Sequence, residues 1–228
     1  GGRVLSREIE LPFSDERRIR SVLGFQLEGK LPGDLSSLVY DYSLIEEDEE
    51  KARLFCPAVD RAWLVNMLEE LKEGEADPRV VTLSTLGYGR LLSHLGGDVE
   101  GTVALVDIGH DETTVAVVSD GVVQFTRSIG RGGHQITLAL AENLELDYGE
   151  AERIKHQSVR LDTGFDTGQR IEDAKRNARI VSEALAPTLR DIRLTLHAYG
   201  QRSDEAIDRV YLFGGTCRLP GIESVVER

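Results

Sequence analysis

Two stretches of this sequence combine the pattern of a buried strand with glycines and hydroxyl side chains that could hold an anion. The first is VALVDIGHDETTVAVV, between Val103 and Val118, and the second is VYLFGGTCRLPG, about a hundred residues further along the chain. Glycine lets a backbone approach a ligand closely, and hydroxyls and N–H groups can bind phosphate oxygens. The two stretches therefore predict a cleft that holds a phosphate ligand or keeps the shape of one that did.

In the first stretch, each polar residue has a specific possible role in nucleotide binding. Asp107 could hold a magnesium ion through a water molecule, and Gly109 could direct backbone N–H groups to a phosphate. Thr113 and Thr114 could supply hydroxyls to the same group. The alternative is that Asp107 is an ordinary turn residue, which the sequence leaves open.

Further along the chain, Gly132–Gly133 opens a predicted helix, where unpaired N–H groups and the helix dipole favour anions. Glu152 and Lys155 share one face of the next helix and could hold a ribose. They could equally be an ordinary surface pair, which contributes little to stability. After the last predicted strand, Gly214–Gly215–Thr216 could contact the base or the α-phosphate.

The elements that would position these residues follow from hydrophobic periodicity and turn signals. Asp120–Gly121 is typical of a two-residue hairpin. In the later part of the chain, the pattern first predicts a short strand at Arg79–Leu83 and a helix at Thr85–Leu95. Three strands follow, at Thr102–Ile108, Thr113–Ser119 and Val122–Ile129. The rest is predicted to form helices from Gly133 to Leu144, from Tyr148 to Gln157 and from Arg170 to Tyr199 with a bend near Pro187, then strand Arg209–Phe213 and a helix from Pro220.

The part before residue 74 has a β-α-β-β-α pattern of its own. This part of the sequence predicts strand Arg3–Leu11, followed by a helix that begins at Ser14–Asp15–Glu16 and has an apolar stripe from Ile19 to Leu27. Strands Leu38–Ile45 and Arg53–Val59 come next, joined by an acidic turn. Asp60 then caps a helix whose apolar stripe, including Trp63 and Met67, is expected to enter the core. We therefore expect residues 1–74 to form a small subdomain with a remnant of a first lobe, and residues 75–228 to form a second lobe.

The order of these motifs resembles the second half of the actin-like ATPase fold. The Asp107–Gly109 turn is similar to the second phosphate loop of that fold, and Gly214–Gly215–Thr216 to its adenosine loop. ALVDIGHDETTVAVV, TRSIGRGGHQIT and EAERIK resemble the PilM branch of pilus and secretion assembly proteins. REIELPFSDERRIRSVLGFQLEGKLP, the DIGH turn, IGRGG and LFGGTCRLPG look most like the cytoplasmic part of GspL, a type II secretion component. The resemblance implies an α/β fold with actin-like, RNase H-like lobes of mixed sheets flanked by helices.

The sequence departs from the actin-like pattern in two places. That fold opens with a strand carrying a DxGxxxxK-like phosphate loop, and no segment before Leu83 supplies one, so its first strands are expected to be missing here. In the retained loop, His110, Asp111 and Glu112 stand where small residues would suit a phosphate. A carboxylate about 5 Å from a phosphate charge costs about 3 kcal/mol at an effective dielectric near 20.

Composition narrows the class of partner. The 228 residues include 40 acidic and 27 basic side chains, for a formal charge of -13, and this field repels nucleic acid and anionic lipid. No apolar run approaches the ~20 residues that would span a bilayer, so we expect no membrane insertion by this segment. The two cysteines, Cys56 and Cys217, lack metal-ligand spacing and are expected to be buried free thiols in predicted strands.

The resemblance to GspL implies a non-enzymatic scaffold on the cytoplasmic side of the bacterial inner membrane. It would recruit a GspE-type secretion ATPase and neighbouring platform proteins, and would have no catalytic residue and no required cofactor. It also leaves a homodimer open, since related proteins often self-associate. The alternative is a PilM-like switch in type IV pilus assembly that binds ATP and magnesium. An active enzyme on the same fold is disfavoured, because no catalytic base can be named and fold alone does not establish activity.

Overall fold

The first 60 residues form a four-stranded antiparallel sheet around one central strand. The computed structural model describes residues 4–48, 50–94, 101–161, 169–203 and 206–226. Strand β4 (Ala52–Asp60) pairs along one edge with β1 (Val4–Leu11), from Val4 opposite Val59 to Leu11 opposite Ala52. Along its other edge it pairs with two short strands, β2 (Leu38–Tyr40) and β3 (Ser43–Glu47).

The single strand predicted over Leu38–Ile45 is therefore wrong, because two strands with a gap replace it. Strand β2 ends at Tyr40 opposite Ala58, and β3 begins at Ser43 opposite Phe55. The gap thus lies across from Cys56–Pro57, and proline has no N–H to donate to a neighbouring strand. The acidic turn is also shorter than predicted, since β3 extends to Glu47.

Helix α1 (Glu16–Leu27) covers this sheet with its apolar face. Asp15 begins the helix, accepting a hydrogen bond from the Arg18 N–H at 2.8 Å, as its position in the sequence predicts. Ile19, Leu23 and Leu27 are buried in one core cluster with β1 and β4. The apolar stripe of this helix therefore packs internally.

Helix α2 (Arg61–Glu73) begins at the predicted cap, where the Asp60 carboxylate accepts from the Trp63 N–H at 2.8 Å. Its apolar stripe does not enter a core, contrary to the prediction. All 13 residues of α2 are described and none of them is buried. Trp63 and Met67 are half-buried on the stripe, and Leu71 is exposed.

The strand predicted at Arg79–Leu83 is also wrong. Val80 and Val81 are exposed, and the described backbone from 76 to 83 is irregular. β-branched residues favour strands when a neighbouring strand packs against them, and these two lack that packing. The helix predicted over Thr85–Leu95 is a short 3₁₀ turn at Ser84–Gly87 followed by α3 (Tyr88–His94), and Leu95 with Gly96–Gly97 lies outside the described residues.

The second sheet has four strands in the order β7-β6-β5-β8. Strands β5 (Thr102–Ile108), β6 (Thr113–Ser119) and β7 (Val122–Ile129) follow one another along the chain, and β8 (Arg209–Phe213) lies parallel to β5. The predicted Asp120–Gly121 turn joins β6 to β7, with both residues at positive φ, as a type I′ hairpin requires. This sheet brings the two glycine-containing loops to neighbouring strand ends.

The described residues of the second half of the chain form four helices: α4 (Gly133–Leu144), α5 (Tyr148–Gln157), α6 (Gln169–Ser203) and α7 (Ile222–Val226). Helix α6 has 35 residues, with Pro187 inside it. Apolar residues of these helices pack with Val106, Ile108 and Val115 in one core cluster. Among the described residues, no helix is both long and apolar enough to cross a membrane.

The chain divides into two compact units. The described residues of 1–102 and 116–127 form one, and those of 103–115 and 128–228 form the other. All of the predicted site residues belong to the second unit. The expected boundary between subdomains near residue 74 stays a prediction.

Both cysteines are free thiols, as expected. Cys56 is buried in β4, but Cys217 lies half-buried in a 3₁₀ turn after β8, not in a strand. Burial raises the pKa of the Cys56 thiol to about 12 and that of Cys217 to about 11. Both therefore stay protonated near neutral pH and are poor nucleophiles or metal ligands.

Candidate functional site

A cleft of about 450 Å³ lies where the two glycine loops of the second unit meet. Four segments supply its walls: the turn after β5, the beginning of α4, the C-terminal half of α5 and the turn after β8. Its lining comprises Gly109, His110, Gly133, Glu152, Lys155, His156, Gly215, Thr216, Arg218, Leu219 and Pro220. Six of the eleven predicted site residues are among them.

The polar residues of the first loop mostly stabilise the loop itself. The Gly109 N–H donates to the Glu112 carbonyl at 2.9 Å, which closes the turn between β5 and β6. Thr113 is fully buried, and its hydroxyl donates to the Arg131 carbonyl at 2.8 Å. Asp107 and Thr114 are half-buried and lie outside the cleft lining, as Thr113 does.

At the beginning of α4, the backbone N–H groups donate to oxygens of the protein. The Gly133 N–H donates to the Gly109 carbonyl and the His134 N–H to the His110 carbonyl, each at 2.8 Å. The Gly132 N–H donates to Oε1 of Gln135 at 2.7 Å. The helix N-terminus that the sequence predicts as a phosphate site is thus joined directly to the first loop.

The glycines of the site allow these loops to approach each other. A Cβ atom at Gly132 would lie 2.5 Å from the Gly109 carbonyl oxygen and 2.6 Å from that of His110. At Gly214, where φ is +90°, a Cβ would lie 2.4 Å from Oδ1 of Asp107. Real Cβ atoms do not come so close to other heavy atoms, so glycine is required here for contact between loops of the protein.

The second loop is a short 3₁₀ turn at Gly215–Arg218, directly after Gly214. Thr216 is buried, and its hydroxyl donates to the Gly109 carbonyl at 3.1 Å. At Gly215 an added Cβ would meet nothing within 4 Å. Of the predicted adenosine-loop residues, Thr216 therefore binds the first loop and Gly215 has open space beside it.

Three side chains behind the first turn of α4 form what we call the inner network: Thr137, Glu152 and Lys155. The Lys155 ammonium is buried and donates three hydrogen bonds, to the Gly133 carbonyl at 3.3 Å, the Thr137 hydroxyl at 2.8 Å and Oε2 of Glu152 at 2.7 Å. An ammonium has three N–H groups, so these contacts use all of them. The surface-pair alternative for Glu152 and Lys155 does not describe this arrangement.

The charge of Glu152 is stabilised by the same contacts. Burial acts to raise the pKa of this carboxyl, but hydrogen bonds from Lys155, Thr137 and His156 outweigh burial and lower the pKa to about 2. The Thr137 hydroxyl donates to Oε2, and a ring nitrogen of His156 lies 2.9 Å from Oε1. Glu152 is therefore an anion over the physiological pH range and balances Lys155.

The acidic residues of the first loop lie away from the cleft. The Asp111 side chain is 82% exposed, and neither Asp111 nor Glu112 lines the cleft. The carboxylate repulsion that the sequence suggests for Asp111 therefore comes from a largely exposed side chain, where solvent screens it.

Five residues of the lining were not among the predicted site residues: His110, His156, Arg218, Leu219 and Pro220. Arg218 and its two neighbours directly follow the GGTC turn, and a basic residue beside a glycine turn is a signal that could have identified them. His156 follows Lys155 in the sequence, so its place beside Glu152 could have been found from their i, i+4 spacing on α5.

The solved structures that this chain resembles share the actin-like fold. The structure described as "PilM-PilN type IV pilus biogenesis complex" matches with a TM-score of 0.78 at 20% identity, covering 98% of this chain and 62% of that one. MreB5 of Spiroplasma citri, solved with AMPPNP bound, matches with a TM-score of 0.53 at 16% identity, covering 72% of this chain and 55% of that one. The mixed α/β fold with two sheets flanked by helices is thus confirmed as actin-like.

Among curated proteins, the cell division protein FtsA of Agrobacterium fabrum is 32% identical to this chain over 187 residues. The match covers 75% of this chain and 42% of FtsA, so the chain spans less than half the length of that relative. Residues 82–228 match the family described as "Type IV pilus assembly protein PilM". That range contains every residue of the cleft lining and most of the chain. The chain therefore belongs to the PilM family.

Proposed function

We propose that this chain is a non-enzymatic scaffold that uses an actin-like frame to assemble other proteins. One observation carries the proposal: the helix start expected to hold a phosphate and the lysine expected to hold a ribose donate instead to atoms of the protein. The N–H groups of Gly133 and His134 donate to carbonyls of the first loop, and the Lys155 ammonium has three acceptors of its own. This donor set does not fit a phosphate grip without rearrangement of the loops.

Within the PilM family, the motifs that resemble the cytoplasmic part of GspL favour a role in type II secretion. On this proposal the domain lies on the cytoplasmic side of the bacterial inner membrane. It recruits a secretion ATPase of the GspE type and neighbouring platform proteins. The relative solved as a PilM-PilN complex supports assembly with other proteins as a property of this fold.

Helix α2 offers a surface for such recruitment. Its half-buried stripe includes Trp63, Leu64, Met67 and Leu68, and none of the residues of α2 is buried. Apolar side chains on one face of a helix gain about 25 cal/mol for each Å² that a partner removes from water. We therefore assign the stripe of α2 to partner binding.

A binding assay with the N-terminal domain of the cognate secretion ATPase tests this role. We expect association at micromolar concentration, and we expect Met67→Asp to weaken it at least tenfold because it places a charge in the apolar contact. Asn66→Asp is the matched control, since it adds the same charge at an exposed position of the same helix. If the wild-type chain does not associate at tens of micromolar, the scaffold proposal is wrong.

The second candidate is a switch that binds ATP and magnesium and so changes its affinity for a partner. The cleft favours this candidate, because about 450 Å³ is within the range of small-molecule sites and Arg218 adds a positive charge to the wall. Lys155 and Arg218 both line the cleft, and magnesium would neutralise part of the phosphate charge. MreB5 of Spiroplasma citri, on the same fold, was solved with AMPPNP.

Calorimetry with ATP and magnesium distinguishes the two candidates. The scaffold proposal expects flat titrations and an unchanged melting temperature. Saturable binding that Arg218→Ala weakens would favour the switch. The matched control is Arg179→Ala, which removes an exposed arginine from α6, outside the cleft.

A further inference from the structure

The turn after β5 and the first turns of α4 and α5 carry a group of side chains of which only His110 also lines the cleft. We call it the histidine cluster: His110, Asp111, His134 and Tyr148. One ligand atom from each of His110, Asp111 and His134 lies within 4.8 Å of the other two. The two imidazole rings are 5.2 Å apart between centroids. We propose that His110, Asp111 and His134 bind a divalent transition metal of the Zn²⁺ type.

The backbone holds the two histidines next to each other. The His134 N–H donates to the His110 carbonyl at 2.8 Å, and the preceding Gly133 N–H donates to the Gly109 carbonyl at the same distance. These two bonds fix the turn after β5 against the first turn of α4. The entropic cost of bringing the metal ligands together is therefore largely met when the chain folds.

Tyr148 contacts both histidine rings of the cluster. Its hydroxyl lies 2.9 Å from Nδ1 of His134 and 3.4 Å from Nε2 of His110. Nε2 of His110 is also 3.7 Å from Oδ1 of Asp111. Two ring nitrogens, a carboxylate oxygen and a phenol oxygen thus converge from the turn after β5 and the first turns of α4 and α5.

The ligand chemistry favours a transition metal over magnesium. Imidazole nitrogen suits Zn²⁺, Ni²⁺ and Cu²⁺, whereas Mg²⁺ prefers carboxylate, phosphate and water oxygens. Tetrahedral zinc with bonds of about 2.0 Å places its ligand atoms about 3.3 Å apart. The three atoms must therefore close by about 1.5 Å at most. The side chains of His110 and Asp111 are 53% and 82% exposed, so their rotation meets little resistance.

Three protein ligands leave a fourth position for water or for the Tyr148 phenol, as in zinc sites that keep an open position. A bound ion would join the turn after β5 to the beginnings of α4 and α5. It would also place positive charge beside Asp111. The site is independent of the proposed scaffold role, because zinc binding requires neither a nucleotide nor a protein partner.

Titration of the chain with zinc chloride, followed by calorimetry, tests the site. We expect one ion per chain with a low-micromolar dissociation constant or tighter. His110→Ala and His134→Ala should each lower the affinity at least about tenfold, since even outer-shell changes cost that much. The matched control is His197→Ala, an exposed histidine on α6, which should leave the affinity unchanged. Circular dichroism establishes that each variant is folded.

Cobalt substitution provides a second measurement. Tetrahedral Co²⁺ gives intense visible absorption, and we expect this spectrum in the wild-type chain and its loss in both cluster variants. Millimolar Mg²⁺ should leave the zinc isotherm unchanged. The proposal is overturned if zinc binds more weakly than micromolar, or if His197→Ala weakens binding as much as the cluster variants do.

Discussion

The inner network and the histidine cluster both lie beside the first loop and differ in how their polar groups are satisfied. In the inner network, each polar group already has a partner within the protein, and Lys155 is 5% exposed. In the histidine cluster the side chains of His110 and Asp111 are 53% and 82% exposed, and the contacts of His110 with Tyr148 and Asp111 are longer, at 3.4 and 3.7 Å. Both groups contact the first turn of α4 through Gly133 or His134.

The difference teaches that residue type alone does not identify a binding site. Lysine, glutamate and glycine in a predicted nucleotide site indicate ligand binding, but here these groups are hydrogen-bonded to other groups of the protein. Removing one partner of a buried hydrogen bond costs the full desolvation free energy of the group left behind, whereas an exposed group exchanges water for a ligand at small cost. The exposed groups of the histidine cluster are therefore the ones available to a new ligand.

Gly132→Ala should have the largest effect, because it acts on both groups at once. The new Cβ would lie within 2.6 Å of the Gly109 and His110 carbonyl oxygens, so the loop must move. We expect the free energy of unfolding to fall by about 3 kcal/mol, together with loss of zinc binding. Chemical denaturation measures the first effect and calorimetry the second.

Gly130→Ala is the matched control, since a Cβ there meets nothing within 4 Å. Its unfolding free energy should change by no more than about 1 kcal/mol. Equal effects of the two substitutions would contradict the close packing of the two loops.

Glu152→Gln tests the inner network alone. It leaves the buried Lys155 ammonium without a counter-charge, and breaking such a pair at a partly buried site should cost about 2 kcal/mol. Zinc affinity should be unchanged, because Glu152 is not a member of the histidine cluster. Glu150→Gln, at an exposed position of the same helix, controls for the loss of one carboxylate. If both variants are equally stable, the network contributes nothing specific.

Acid should remove the difference in unfolding free energy between the wild type and Glu152→Gln. The Glu152 pKa is lowered from 4.5 to about 2 in the folded chain, so its stabilising contribution is complete above pH 4.5. As pH falls from about 4.5 towards 2, the carboxyl takes up a proton and this contribution is lost. Urea denaturation at several pH values measures this difference in unfolding free energy, which should decrease steadily as the pH falls. A difference that stays constant would show that the Glu152 charge is not stabilised.

His110→Ala should have the smallest effect on stability and still abolish tight zinc binding. The side chain is 53% exposed, so the unfolding free energy of the metal-free chain should change by less than about 0.5 kcal/mol. Adding zinc should raise the melting temperature of the wild type but not of this variant. A large loss of stability without metal would place His110 with the inner network instead.

Much of the fold was predictable from local signals. Asp15 and Asp60 cap their helices as their positions indicate, and Asp120–Gly121 forms the predicted hairpin turn. Local signals were weaker where a tertiary partner decides the outcome. Pro57 was a local signal that its neighbouring strand would be interrupted. Val80 and Val81 have strand propensity, but no neighbouring strand of the described residues packs against them, and no local signal shows this.

For the candidate site, the sequence supplied the loops and their order but not the partners of their polar groups. Gly132 was predicted to approach a ligand, and it approaches two carbonyls of the protein. Those contacts join residues more than twenty positions apart, so no local pattern encodes them. The histidine cluster was missed for the same reason: His110, His134 and Tyr148 converge only in the folded chain.

The two cysteines have a practical consequence for experiments on the chain. With thiol pKa values of about 12 and 11, Cys56 and Cys217 react slowly with maleimides near neutral pH. The two existing cysteines would therefore take up little label when a fluorophore is attached at an added cysteine. A cysteine placed at the exposed Asn66 would carry a dye beside the apolar stripe of α2, where the arrival of a binding partner changes its emission.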